Sequence, residues 1–418
     1  MGSLKLPPDV SPRIGSAHED GRATIMGIGK AVPPHEFQQK SFSDYYFEIT
    51  NSNHMVDLKA KFANICKCRN SISGEKTMIE KRRLYMSSEM LRANPSIMAY
   101  NSPSLTRRQE LADIGVPELG AKAARKAISD WGKQASDITH LVASTSSSGC
   151  MPGADCELAR LLGLKPCTKR FMLYQTGCHG GCTALSLSKD LAENNPGARV
   201  LVVCSEVCTL SLRGPSESNI GDLVGQAILG DAAGAVVVGS NPTVDEHAMF
   251  ELVLTCQETI PGTEDALVSK LREEGILYTL HRDIPLHVSS SMERLVKLLL
   301  KETMAPAPDL NEEVFWVVHT GGRGILDRIE SKLELRDGKL AASRAVMRQY
   351  GNTRCSSVIL VMEEMRRRSE KDGLRTAGEG LDWGVLVGYG PGITIEAMLL
   401  RALPDKTATK LNTQVGHW

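Results

Sequence analysis

The chain has 418 residues, of which 42% are hydrophobic and 23% charged; that is enough apolar material for a sizeable core and excludes a disordered or fibrous class. Lysine plus arginine (49) equals aspartate plus glutamate (49), so no net field draws the protein to nucleic acid or an anionic membrane. The eleven cysteines are odd in number and lack the regular spacing of a disulfide framework, which fits a reducing compartment and predicts a cytoplasmic protein.

Residues 1–21 are rich in Pro, Ser and charge and read as a mobile arm without the apolar run of a signal peptide. Leu6 stands where a myristoylation signal needs Ser or Thr, the C-terminal GHW excludes prenylation, and no apolar run approaches the roughly 18 residues of a membrane span. From Asp44 to Cys68 the pattern is helical, and the polar RNSISGEKT that follows reads as a surface insertion. Then the helix PELGAKAARKAISDWG, the strand THLVAST, the helix CELARLLGL and the strands RVLVVCSE and AGAVVVGS alternate, as in an α/β sheet covered by helices. A second series has the same grammar: the strand in EEVFWVVHTGG, the helix SSVILVMEEMRRRSE and two closing strands in WGVLVGYGPGITIEAMLL. Both HLVASTSSSG and FWVVHTGGRG run from a buried strand into a small-residue loop, which points to a duplicated unit.

The segment FMLYQTGCHGGCTALSLSKDLAE carries the clearest chemistry. An apolar strand ends in TG, and Cys178 then opens a helix. Unpaired amides and the positive end of the helix dipole there favour a thiolate, while Gly177, Gly180 and Gly181 leave room for an incoming acyl group. The bland alternative is an inert core cysteine. Metal ligation by Cys178, His179 and Cys182 lacks the second cluster that a structural zinc site needs. A cysteine nucleophile requires a basic partner and donors for an oxyanion. His319, at the end of the strand VFWVV, and Asn352, in the turn QYGNTRCSS, are the candidates; taken alone they could equally be a satisfied core histidine and a helix cap.

Residues from about 22 to 403 resemble the plant type III polyketide synthases, the chalcone and stilbene synthase family. The strings that carry the resemblance are LYQTGCHGG, VVCSEV, RGPSES, LVGQAILGDAAGAVVVG, FWVVHTGG, YGNTRCSS and GEGLDWGVLVGYGPGITIE. It implies a thiolase-like fold, αβαβα layered, with two duplicated halves at 22–250 and 251–403 and a flexible tail at 404–418. By the same resemblance Cys178 carries the acyl chain, while His319 and Asn352 assist thiolate formation, malonyl decarboxylation and oxyanion binding. The substrates are then an acyl-CoA starter and malonyl-CoA, with no metal or redox cofactor. Met151, in GCMPGAD, matches the methionine that such enzymes insert into the partner's cavity, so a homodimer is implied.

The departures from the family pattern concern the cavity. The two gatekeeper positions hold Leu229 and Tyr278, the lining threonines appear as Ser146, Cys208 and Ser211, and a pocket-size glycine is replaced by Ser269. Arg354 stands where the family has a serine, and a buried guanidinium must find a carboxylate, solvent or a substrate anion. Of the cations expected on the CoA phosphates Lys61 is retained, whereas Asn64 and Cys68 occupy neighbouring basic positions; Lys67, Arg69 and Lys76 are the available substitutes. The smaller Cys208 and Ser211 predict a tunnel for an aliphatic tail, and so an alkylpyrone or alkylresorcinol product from a long-chain or bulky acyl-CoA. The alternatives are a chalcone, stilbene or styrylpyrone synthase using a phenylpropanoid starter, a catalytically weakened partner protein, and a ketoacyl synthase or HMG-CoA-synthase-like enzyme; RGPSES and GYGPG speak against the last.

Overall fold

Strands and helices alternate along the residues that the computed structural model describes, 21–66, 77–304 and 306–404. The expected N-terminal arm up to Asp20, the RNSISGEKT insertion except Thr77, and the tail from Asp405 lie outside them. The chain begins with β1 (Thr24–Ala31), β2 (His35–Gln38), α1 (Gln39–Ile49), α2 (Val56–Cys66), β3 (Lys81–Leu84), α3 (Ser88–Arg92), α4 (Pro95–Met98) and α5 (Leu105–Trp131). There follow β4 (His140–Thr145), α6 (Ala154–Leu162), β5 (Lys169–Tyr174), α7 (Gly180–Asn194), β6 (Arg199–Glu206), α8 (Ile220–Ile228) and β7 (Ala232–Gly239). The second half opens with β8 (Phe250–Thr259), β9 (Leu267–Arg272), β10 (Gly275–Leu280), α9 (Ile284–Thr303) and β11 (Val314–Val318). It closes with α10 (Arg323–Lys332), α11 (Ala341–Tyr350), α12 (Ser357–Lys371), β12 (Trp383–Gly390) and β13 (Thr394–Ala402).

Nine strands share one sheet in the order β11-β12-β13-β8-β1-β7-β6-β4-β5. Its two sides repeat a single plan. β1 runs antiparallel to β7, β7 antiparallel to β6, and β6 parallel to β4. In the same way β8 runs antiparallel to β13, β13 antiparallel to β12, and β12 parallel to β11. The two plans join where Thr24 and Ile25 of β1 pair with Glu251 and Phe250 of β8, which is the duplication that the sequence grammar suggested.

Period-two alternation sets the layers. In β11, Val314, Trp316 and Val318 pack outward with α9 and α10, while Phe315 and Val317 pack inward with Val358, Leu360 and Met362 of α12. On the other side Met26, Val203 and Val237 meet the alanine-rich face of α5, while Ile25, Val202 and Val236 share the central cluster with Cys182 and Leu185 of α7. The order is therefore α5 and α6, strands, α7 and α12, strands, α9 and α10: the expected αβαβα layering. Each buried aliphatic side chain in these layers contributes about 1.5–3 kcal/mol by leaving water.

The central helices matter most for the site. Each is preceded by a short 3-10 turn, Gly177–His179 before α7 and Arg354–Ser356 before α12, and each turn opens on a residue of positive φ, Gly177 at 72° and Arg354 at 54°. The turns face one another closely: a Cβ on Gly181 would lie 2.1 Å from the carbonyl oxygen of Cys355, so only glycine fits there.

Candidate active site

Strand ends and the two facing turns bring Cys178, His319 and Asn352 to the wall of one cavity of about 560 Å³, within the range usual for small-molecule sites. Cys178 sits in the turn between β5 and α7, so its sulfur lies at the N-terminal end of a 15-residue helix. Gly177 must bend left-handed at a point where a Cβ would lie 2.5 Å from Cδ of Pro391. Gly390 closes the opposite side: a Cβ there would lie 3.0 Å from the amide nitrogen of Cys178. The GYGPG stretch is thus the backbone mould around the nucleophile's turn.

His319 follows β11 directly and is held from three directions. Its amide donates to the Val387 carbonyl at 2.9 Å, its Nδ1 hydrogen-bonds the hydroxyl of Ser357, and its carbonyl accepts from the Tyr389 hydroxyl at 3.1 Å. The Tyr389 ring also meets the imidazole edge to face at 4.8 Å. Nε2 is buried and has no hydrogen-bond partner among the described residues, so it is the nitrogen left for substrate or for the Cys178 proton. The Ser357 hydroxyl can donate or accept, which permits either imidazole tautomer. Burial, with a smaller contribution from His179, pulls the His319 imidazole down to about 3.

Asn352 lies in the turn ahead of α12, where its backbone bridges to Leu229 and its amide donates to Ile228. Its Oδ1 accepts from the Arg354 amide at 2.9 Å, which turns Nδ2 toward the Gly321 carbonyl at 3.3 Å and toward the Cys178 sulfur. Burial pushes the Cys178 thiol up to about 12 and Glu206 adds to this, whereas the Arg354 guanidinium and the Asn352 hydrogen bond act the other way. Burial thus works against the help expected from the helix end, and ionisation depends on a partner that takes the proton, as the sequence predicts.

Arg354 is 4% exposed and points into the same region. Its Nε lies 3.6 Å from Glu206 and its terminal nitrogen 3.5 Å from Asp231, with the Cys208 sulfur at 3.7 Å. Burial opposes its charge, but Cys208, Glu206, Tyr278 and Asp231 more than offset that, so the guanidinium stays protonated. Glu206 is itself held by two contacts of 3.2 Å from the Ser146 amide and by the Ser147 hydroxyl at 2.5 Å.

The remaining expected positions divide into two groups. Ser146, Leu229, Ser269, Tyr278 and Arg354 all line the cavity. Burial pushes the Tyr278 phenol up to about 12, and its hydroxyl hydrogen-bonds Ser211. Cys208 and Ser211 are not among the lining residues; Cys208 lies 3.7 Å from Arg354 and Ser211 hydrogen-bonds Tyr278, and both of those partners do line the cavity. Lys61 is exposed on α2 and is not among the lining residues; besides Arg354, the arginines that do line the cavity are Arg282 and Arg323. Lys67, Cys68, Arg69 and Lys76 lie outside the described residues, and Met151 is 95% exposed on the loop after β4.

Sequence reading passed over Ser357, Tyr389, Glu206 and Asp231. The last two carried a signal, since each is a carboxylate bordering an otherwise apolar buried strand, in LVVCSE and GDAAGAVVV. It also passed over a buried group under the nucleophile's turn, in which His179 Nδ1 lies 3.1 Å from Glu396 and Gln257 donates to Glu396 at 2.6 Å. The ten cysteines among the described residues are all free thiols, and no helix there is long and apolar enough to cross a membrane.

Two family models match the chain: that of the chalcone and stilbene synthases, N-terminal domain, over residues 13–242, and that of the C-terminal domain of the same enzymes over residues 251–404.

Proposed function

The chain belongs to the chalcone and stilbene synthase family and is a type III polyketide synthase, and we propose that it extends an acyl-CoA starter with malonyl-CoA, with Cys178 as the acyl carrier and His319 and Asn352 as its partners. The observation that carries this is the convergence of the three on one cavity, with His319 Nε2 buried and unpartnered. The Cys178 thiol passes its proton to Nε2 and attacks the starter thioester carbonyl; coenzyme A leaves as the thiolate and is protonated by solvent, so the proton stays on Nε2. His319 Nε2–H and Asn352 Nδ2 then donate to the malonyl thioester oxygen, so that loss of carbon dioxide leaves a stabilised enolate. The enolate carbon attacks the acyl-cysteine, the sulfur departs, and the lengthened chain returns to Cys178 for the next round. This sequence needs neither a metal nor a redox cofactor, and unchanged turnover after exhaustive chelation is the expected control.

For the starter we propose a long-chain or bulky acyl-CoA, giving alkylpyrone or alkylresorcinol products. Support comes from the aliphatic side chains that line the cavity, among them Val224, Ile228, Leu267, Leu280, Ile284 and Ile325. An aliphatic tail is the starter group that such a lining accepts. Incubation with malonyl-CoA and a panel of aromatic and short- to long-chain fatty acyl-CoAs, with products identified by mass, tests it. Turnover of p-coumaroyl-CoA equal to or better than that of every fatty acyl-CoA would reject the reading in favour of a phenylpropanoid starter.

The exposed Met151 supports a homodimer as the working form, to be checked by light scattering at micromolar concentration; a monomer there would remove the proposal.

A further inference from the structure

Arg354 combines a compensated charge with an unsatisfied hydrogen-bond donor, Nε. Two buried carboxylates flank the guanidinium, but at 3.6 Å and 3.5 Å neither is within hydrogen-bonding geometry, and its terminal nitrogen reaches only the weak acceptor Cys208 at 3.7 Å. Nε has no hydrogen-bond partner among the described residues. A buried donor left unmade costs about 1–3 kcal/mol, so a ligand that supplies an acceptor oxygen there gains that interaction. Because two carboxylates already face the one guanidinium, a further carboxylate is disfavoured, and the matching partner is a neutral oxygen. The Arg354 amide also sets the direction of the Asn352 side chain beside Cys178, which places this donor fork at the sulfur end of the cavity.

We propose that Arg354 donates hydrogen bonds to the 3-oxo oxygen of the chain carried on Cys178, and so favours intermediates that have already been extended over saturated primers. The proposal rests on Cys178 being the carrier. It accounts for a permanently charged side chain in the wall of a cavity whose lining is otherwise rich in aliphatic residues: these receive the tail, and Arg354 the oxygens that each extension adds. Lysine cannot replace this function, since a compact ammonium on a different stem keeps the charge but loses the planar fork.

The test is competition between octanoyl-CoA and 3-oxo-octanoyl-CoA for loading, read as the masses of the acyl adducts on the Cys178 peptide, in wild type, Arg354→Met and Arg354→Lys. Wild type is expected to favour the 3-oxo chain, Arg354→Met to lose at least tenfold of that preference, and Arg354→Lys to lose most of it. Should Arg354→Met fail to fold because two carboxylates are left unpaired, Arg354→Lys still decides. A purely structural ion pair predicts a wild-type preference in the lysine variant, and that result overturns the proposal. Equal loading of the two chains by wild type overturns it as well. Absence of any adduct on Cys178 instead overturns the carrier assignment, and is told apart by the missing peptide mass.

Discussion

Replacing His319 by glutamine keeps a neutral side chain of similar size but removes the group that can take a proton from Cys178. Burial holds the Cys178 thiol high even with His319 in place, so the thiolate has to form as the proton passes to an acceptor at the moment of attack. General-base assistance of that kind is worth about 10²–10⁴-fold. Alkylation of Cys178 by iodoacetamide in His319→Gln should therefore slow at least ~100-fold at pH 7 relative to wild type, and then rise about tenfold per pH unit up to pH 10. The adduct must be located by peptide mass, because Cys167 is exposed and Cys150 and Cys156 are half-buried. The melting temperature of the variant serves as the control for folding. A variant that alkylates at the wild-type rate at pH 7, or whose rate is flat between pH 6 and 9, would refute the argument that the imidazole makes the thiolate.

Gly177→Ala places a methyl group 2.5 Å from Pro391 at a residue of positive φ; a loss of about 2–4 kcal/mol of stability, or a comparably large fall in starter loading, should follow in thermal and single-turnover measurements. Tyr389→Phe strips the hydroxyl that accepts from the Gly321 amide at 3.2 Å and donates to the His319 carbonyl at 3.1 Å, and kcat should fall about tenfold with KM for the starter little changed. Arg282, exposed at the cavity, is the cation best placed for CoA phosphates, so Arg282→Ala should raise KM for acyl-CoA several-fold and leave its kcat near wild type. Burial works against the charge of Glu246, but the Arg199 fork at 2.7 and 2.6 Å, the Thr243 amide and the Trp131 indole bring its carboxyl down from 4.5 to about 2. A folded pKa below the unfolded one gives stability that is present above pH 4.5 and lost as pH falls through about 2. Glu246→Gln should thus cost ~2 kcal/mol at pH 7 and progressively less as denaturation is followed from pH 4.5 toward 2.

The layers were legible because period-two strands and long amphipathic helices write their partners into the sequence, as Phe315 against Val314 and Trp316 shows. The duplicated order could only be suspected from strand-to-loop grammar, since pairing of β1 with β8 joins residues more than 200 positions apart. At the site, Cys178, His319 and Asn352 were readable because each ends or precedes a regular element. The cavity wall was not: whether Cys208 or Arg354 faces the substrate depends on which side chain fills the shared space, and side-chain length along a fold cannot be read from spacing. Nor could spacing reveal that burial, rather than the helix end, dominates the Cys178 thiol.

The most direct measurement is the intact mass and peptide map of the protein after brief exposure to an accepted starter acyl-CoA, alongside Cys178→Ala given starter and malonyl-CoA together. The account predicts one acyl adduct on the peptide containing Cys178 and no polyketide from the variant. An adduct on another residue, or polyketide formed without that sulfur, would contradict it.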